Sequence, residues 1–192
     1  GLSNEAAFYG GSFTGLPAAL QTELFQPVDE LLAKGIIGSV RLSTRPDYID
    51  AARLELLKGH GVKIVELGVQ SLDDTVLAAA GRGHQAAEVG RAVALLKQYG
   101  FEACLQLMVG MPGQSFASVR DTVEQVLRLR PAIARIYPLL VIKGTPLETI
   151  YKRGAFEPLT LSEAVEQSAY VYSRLTQAGI KVVRVGLQAD EE

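Results

Sequence analysis

The stretch AAFYGGSFTGLP, Ala6 to Pro17, governs how the rest of the chain is read. An apolar run through Ala6, Ala7, Phe8 and Tyr9 breaks at Gly10-Gly11; Ser12, Thr14 and Gly15 follow, and Pro17 opens a helical pattern. A buried strand reads this way when its C-terminal end offers bare backbone to a ligand. Paired glycines carry no side chain to block that approach and turn easily out of a sheet. They also end strands for structural reasons alone, so the spacing by itself leaves both readings open.

Downstream, Pro17 to Lys34 carries Leu20, Leu24, Val28 and Leu31 at three- and four-residue steps, with Gly35 as a helix stop. This predicts a helix with that face inward, kinked or split at Pro27. Ser39 to Ser43 predicts a second strand ending in Ser43-Thr44-Arg45, Asp47 to Gly61 a helix, and Val62 to Val69 a third strand ending in Gln70-Ser71. Short helical patterns at Asp73–Ala80 and Ala86–Tyr99 flank the loop Gly81-Arg82-Gly83-His84. A fourth strand covers Phe101 to Val109, and Ser115 caps the helix that follows it. A fifth strand covers Ile133 to Pro138. Leu147 to Arg153 reads as a helix, Thr160 and Glu163 form a capping box for another reaching Gly179, and Ile180 to Val185 closes the series.

Strand and helix alternate without a hairpin signal, and the strands are rich in Val, Ile and Leu, as buried parallel strands are. The expected fold class is α/β: a partial (β/α)6 TIM-like barrel of parallel strands. Polar residues gather just after each strand, the edge where barrels and doubly wound sheets bind ligands.

With 192 residues and 48% hydrophobic content the chain can bury a full core as one domain. No apolar run approaches the roughly 20 residues that span a bilayer, so no membrane partner is expected. No basic-then-apolar leader opens the sequence, and the cytosol is the expected compartment. A net charge of -2 makes no general electrostatic case for nucleic acid. One cysteine, Cys104, excludes an intrachain disulfide and a cysteine-rich metal cage. Gly1 to Asn4 lead at once into a strand, and Asp190-Glu191-Glu192 follow directly on another; both ends read as those of a piece of a longer chain.

Five phrases in order, AFYGGSFTGL, RLSTRPDYI, VELGVQSLDDTVL followed by GRGH, LQLMVGMPGQS and RIYPLLVIKGTPLE, resemble the core of the radical S-adenosylmethionine (SAM) enzymes. The resemblance covers nearly the whole chain. It is nearest to the branch holding the elongator-complex catalytic subunit and the oxygen-independent coproporphyrinogen oxidases; the last phrase points to the elongator-like group. It implies SAM as cofactor, cleaved reductively to a 5′-deoxyadenosyl radical, and a possible tRNA substrate in the intact protein. By the same resemblance Gly10, Gly11 and Ser12 receive the methionine amino group, while Ser43 and Arg45 contact the ribose or carboxylate. Gln70 binds SAM, Arg82 reaches the methionine carboxylate, Gln106 stands at a ribose-contacting position, and Gly110 with the Pro138 backbone forms the adenine shelf. An arginine suits a carboxylate because its fork donates two parallel hydrogen bonds.

The family's CxxxCxxC loop, which holds a [4Fe–4S] cluster, is absent from these residues, and thiolates are what such clusters require. The expectation is a single radical SAM core domain fragment over residues 1–192, lacking the cluster-binding segment and its first strand, and inactive alone. A non-catalytic half-barrel module that binds a nucleotide or a partner is the alternative. An ordinary barrel aldolase or isomerase would call for a strand-end lysine or paired carboxylates, which are not found. An open sheet edge predicts self-association as a homodimer. Among the other polar residues, Lys63 and Glu66 read as a solvated strand end, His60 as a surface residue at a helix end, and His84 as a loop hydrogen-bonding partner. Cys104 reads as a small core hydrophobe.

Overall fold

The computed structural model describes residues 4–187, so the expectations about Gly1–Ser3 and Asp190–Glu192 lie outside the described residues. Six parallel strands stand side by side in chain order: β1 (Asn4–Phe8), β2 (Ile37–Thr44), β3 (Val62–Gln70), β4 (Glu102–Val109), β5 (Ile133–Pro138) and β6 (Lys181–Val185). Each parallel step needs a crossover. These are α1 (Ala18–Ala33), α2 (Ala51–Gly59), α3 (Asp74–Ala79) with α4 (Ala86–Gln98), α5 (Phe116–Leu129), and α6 (Pro146–Lys152) with α7 (Leu161–Gln177). The strands form the curled half-barrel that the alternation predicts. No described helix is long and apolar enough to cross a membrane.

Alternation along the strands divides the two faces. On β4, Ala103, Leu105, Leu107 and Val109 join one core with Leu54 and Leu57 of α2, Val89, Val93 and Leu96 of α4, and Val123 and Val126 of α5. The intervening residues, Cys104, Gln106 and Met108, belong to the opposite, concave face. That face is held by charge. Glu66 of β3 is 2% exposed and its Oε1 accepts from Tyr9 Oη at 2.7 Å and Arg41 Nη1 at 3.1 Å, with Arg135 Nη2 at 3.2 Å. Arg135 also donates to Tyr9 Oη at 2.8 Å. Tyr9 follows β1 and Arg135 lies on β5, with three strands between them. In a flat sheet, four spacings of about 4.8 Å would hold them about 19 Å apart. Their contact is therefore a chord across the curl, with Glu66 beneath it.

The structure corrects several sequence expectations. Glu66 is not a solvated strand end, although Lys63 is exposed. A strand that is covered on both faces gives a lone carboxylate no periodicity to betray which way it points. The inward face of α1 is Gln21, Phe25 and Val28; Leu20 and Leu24 are exposed, because Phe25 takes the core position between Phe8 and Phe13. Pro27 lies on the exposed side and α1 runs through it unbroken, since the carbonyl it cannot bond is left to water. The stretch Asp47–Gly61 is not one helix: a single turn at Pro46–Tyr48 precedes α2, which Asp50 caps by accepting from Arg53 N. His60 does end α2 but is only partly exposed; its ring stacks on Phe25 at 4.3 Å and Nδ1 sits 2.8 Å from Asp29 Oδ2, fastening α2 to α1.

Removing one partner of a buried ion pair leaves the other charge uncompensated. Glu66→Ala should therefore cost about 3 kcal/mol of folding stability. Urea denaturation checks this; a loss below about 1 kcal/mol, the range of exposed pairs, would show the chord to be dispensable.

Candidate functional site

The site is built at the C-terminal ends of β1 to β4. After β1 the chain turns at Gly10, whose φ of +109° only glycine adopts without strain. Past Gly11 and Ser12, the turn Phe13–Gly15 is pinned by Thr14. Its Oγ1 donates to Tyr48 O at 2.8 Å, so the 2.6 Å contact with Thr44 is received from Thr44 Oγ1. Arg53 Nε donates to Thr14 O at 2.8 Å, and Ser43 Oγ to Gly11 O at 3.2 Å, which ties the end of β2 to the glycine pair. Thr14 and Arg53 were not singled out in the sequence; the hydroxyl within Ser-Phe-Thr-Gly was the available signal.

The two arginines differ. Arg45 spends its fork on Asp47, with Nε at 2.9 Å and Nη2 at 2.6 Å, and Nη2 also donates to Gly83 O at 2.8 Å. A Cβ on Gly83 would overlap that guanidinium, so this glycine admits the arginine. Burial, the largest single influence, would raise the Asp47 carboxyl, but the Arg45 hydrogen bond, a backbone hydrogen bond and the Arg45 charge together outweigh it and the pKa falls below its ordinary value. Arg82 donates to Gly68 O at 3.3 Å and has no carboxylate within salt-bridge distance among the described residues. Burial, and then the charge of Arg45, lower its pKa more than the Asp47 charge raises it: this guanidinium is short of a counter-charge.

At the end of β3, Gln70 has a φ of +67°, and Ser71 N donates back to Val69 O at 2.8 Å, closing a three-residue turn. The Gln70 side chain accepts from Gln106 Nε2 through Oε1 at 3.3 Å. His84, 4% exposed, donates from Nε2 to the same Val69 carbonyl at 3.2 Å, while its Nδ1 is buried without a partner. Being a loop hydrogen-bonding partner is the role its sequence position suggested.

Of the ten positions raised by the sequence, Gly11, Ser12, Ser43, Arg45, Gln70, Arg82 and Gln106 line one cleft of about 330 Å³. Gly10 falls just outside it, in a shallow groove with Phe8 and Leu24. Gly110, at φ +83°, lies against Leu159 outside the cleft, and Pro138 fronts two grooves near the ends of β5 and β6, one of which shares Gln106 with the cleft. Beside the cleft, sharing Gln70 and Arg82, a more apolar chamber of about 470 Å³ is walled by Met108, Met111, Pro112 and Leu139. Gln114, which sequence reasoning passed over, braces that wall: Oε1 accepts from Met111 N at 3.1 Å and Nε2 donates to Met108 O at 3.2 Å.

No group of His, Cys, Asp and Glu among the described residues could hold a metal ion. Cys104 is buried in β4, and burial together with Glu66 pushes its thiol up to about 12. It is a neutral core residue, and the residues present do not fit an iron–sulfur cluster.

The Radical SAM superfamily profile matches residues 3–126, and that of the Radical_SAM C-terminal domain residues 131–192. A tRNA uridine(34) acetyltransferase of Methanocaldococcus infernus is 36% identical over 135 residues, 69% of this chain and 25% of that protein. The solved structure of the archaeal M. infernus Elp3 with an N-terminal deletion superposes with a TM-score of 0.82 at 26% identity, over 96% of this chain and 51% of that one. Coproporphyrinogen III oxidase (HemN) from Escherichia coli, described as a radical SAM enzyme, shares the fold, with a TM-score of 0.73 at 19% identity, 91% of this chain and 40% of that one. The chain thus spans a quarter of the acetyltransferase and about half of the Elp3 structure.

The buried imidazole makes the cleft acid-sensitive. Burial lowers the His84 pKa from 6.5, and Arg82 and Arg45 add to this against Asp47 and the Val69 carbonyl. Below pH 6.5 the unfolded chain takes up a proton that the folded chain refuses, so stability falls as pH drops. A denaturation series from pH 7.5 to 5 should show this slope, and His84→Gln should flatten it; an unchanged slope in the variant would assign the acid sensitivity elsewhere.

Proposed function

The chain belongs to the radical SAM superfamily, and from that membership we propose that the strand-end cleft binds S-adenosylmethionine. The observation that carries the proposal is the half-buried Arg82 guanidinium, which has a backbone carbonyl but no carboxylate partner among the described residues. Because Asp47 already occupies the Arg45 fork, Arg82 is the better partner for the methionine carboxylate. The donor set fits the rest of the molecule. Carbonyls at Gly10-Gly11 suit the ammonium, with Ser12 and Ser43 beside them. The Gln70 and Gln106 amides suit ribose hydroxyls, and the apolar wall from Met108 to Pro138, on the groove that shares Gln106 with the cleft, suits adenine.

When bound, SAM supplies the adenosyl group from which the superfamily's radical chemistry starts. These residues bind it, orient it and exclude water; the thiolates of a [4Fe–4S] cluster are not among them, so this core by itself is expected to bind without reacting. We assign residues 1–192 to one such core domain and favour tRNA as the substrate of the intact protein. Support comes from the 36% identity to a tRNA uridine(34) acetyltransferase and the elongator-like phrase RIYPLLVIKGTPLE. The net charge of -2 adds nothing to that choice. The cytosol is the compartment such a substrate implies.

Titration calorimetry with SAM tests the reading. Charged hydrogen bonds contribute about 1.5–3 kcal/mol, so Arg82→Gln should weaken binding by about 10- to 100-fold. A wild-type chain that gives no binding heat would overturn the assignment. The position of β1 at the outer edge of the described sheet further supports pairing of two copies through an open sheet edge. Light scattering should then give a dimer, and a monodisperse monomer would refute it.

A further inference from the structure

We infer that His84 is a positioning residue: it clamps a strained turn that aims Gln70 into the cleft. Gln70 is one of two non-glycine residues with positive φ among the described residues, at +67°, and the turn closes over only three residues through Ser71 N to Val69 O. A γ-turn of that sign is the rarer, strained hand, and a side chain adds to the strain. Such geometry persists where the surroundings over-determine it, and it gathers at ligand sites.

The surroundings here are explicit. The Val69 carbonyl that closes the turn takes a second hydrogen bond from His84 Nε2, and on the far side Ser71, fully buried, meets Thr122 of α5 through its hydroxyl at 3.3 Å. With the backbone caught at both sides, Gln70 is forced toward Gln106, and a Cβ on Gly68 would stand 3.2 Å from its amide nitrogen. A relaxed glutamine at the end of an ordinary strand would lose that aim. His84 also ends the loop that carries Arg82. One imidazole thereby sets two cleft side chains from behind, without facing the cleft. Its unpartnered Nδ1 marks the cost of burying the ring for this purpose.

The inference rests on the SAM assignment for its ligand, and its stability arm does not. Gln70→Gly removes the side chain that makes positive φ costly, so it should raise the melting temperature while weakening SAM by about tenfold, the scale of one lost side-chain hydrogen bond. A plain structural role would move both in the same direction. His84→Ala should lower both stability and affinity, and His84→Gln, whose amide can still donate to Val69 O, should restore most of each. The destabilisation by His84→Ala should shrink in the Gln70→Gly background, where there is less strain to clamp. Equal costs in the two backgrounds, or a Gln70→Gly chain no more stable than the wild type, would overturn the clamp. Unchanged SAM affinity in both variants, with the wild type binding, would overturn its role in the site while leaving the SAM assignment standing. A wild type that binds no SAM would remove the ligand role, and the stability arm would still decide the clamp.

Discussion

A single carboxylate sets the shape of this sheet. Glu66 is buried at the middle of the concave face, and a charge so placed must be matched by donors that the fold brings to it. Those donors come from the end of β1, from β2 and from β5, and they reach one oxygen only because the sheet curls. The buried network is weak evidence of net stability, since desolvation offsets much of the attraction. Its effect is on geometry: a flatter arrangement would leave Glu66 unpaired. The same curl draws the ends of β1 to β4 toward one another, and Tyr9, clamped by Glu66 and Arg135, immediately precedes the glycine pair.

Much of the architecture could be read in the residues. Strand after strand of Val, Ile and Leu, separated by helical periods and never by a hairpin, admits little besides a parallel sheet. Ser115 and the Thr160–Glu163 box cap the helices they were expected to cap. What escaped was whatever depends on which of two buried faces a residue takes. Glu66 and the shifted face of α1 are both of this kind, because a strand covered on both sides and a helix with apolar residues on more than one face lose their periodic signal. His60 escaped for another reason: a helix-terminal histidine looks solvated until the aromatic ring it stacks on, 35 residues away in sequence, is known.

The strand-end positions were legible as a set, through phrase order, and seven of them line one cleft. Their individual electrostatics were not. Arg45 and Arg82 look equivalent in the sequence, yet one is already matched by Asp47 and the other lacks a carboxylate partner among the described residues. Nor does any composition rule flag Gln70, since glutamine carries no signature of left-handed backbone as glycine or asparagine would. The sequence could mark the residue as polar and at a strand end, while its strain arises from Val69, Ser71 and His84 together.

Cys104 has a use that owes nothing to cofactor or core packing. It is the one thiol of the chain, fully enclosed in the fourth of six strands, with its ionisation suppressed toward about 12. A thiol-specific reagent can reach it only when the sheet parts around β4, and nothing else in these 192 residues competes for the label. The rate at which a native sample is alkylated is therefore a clock for the opening of its innermost layer, supplied by the natural sequence without any engineered probe.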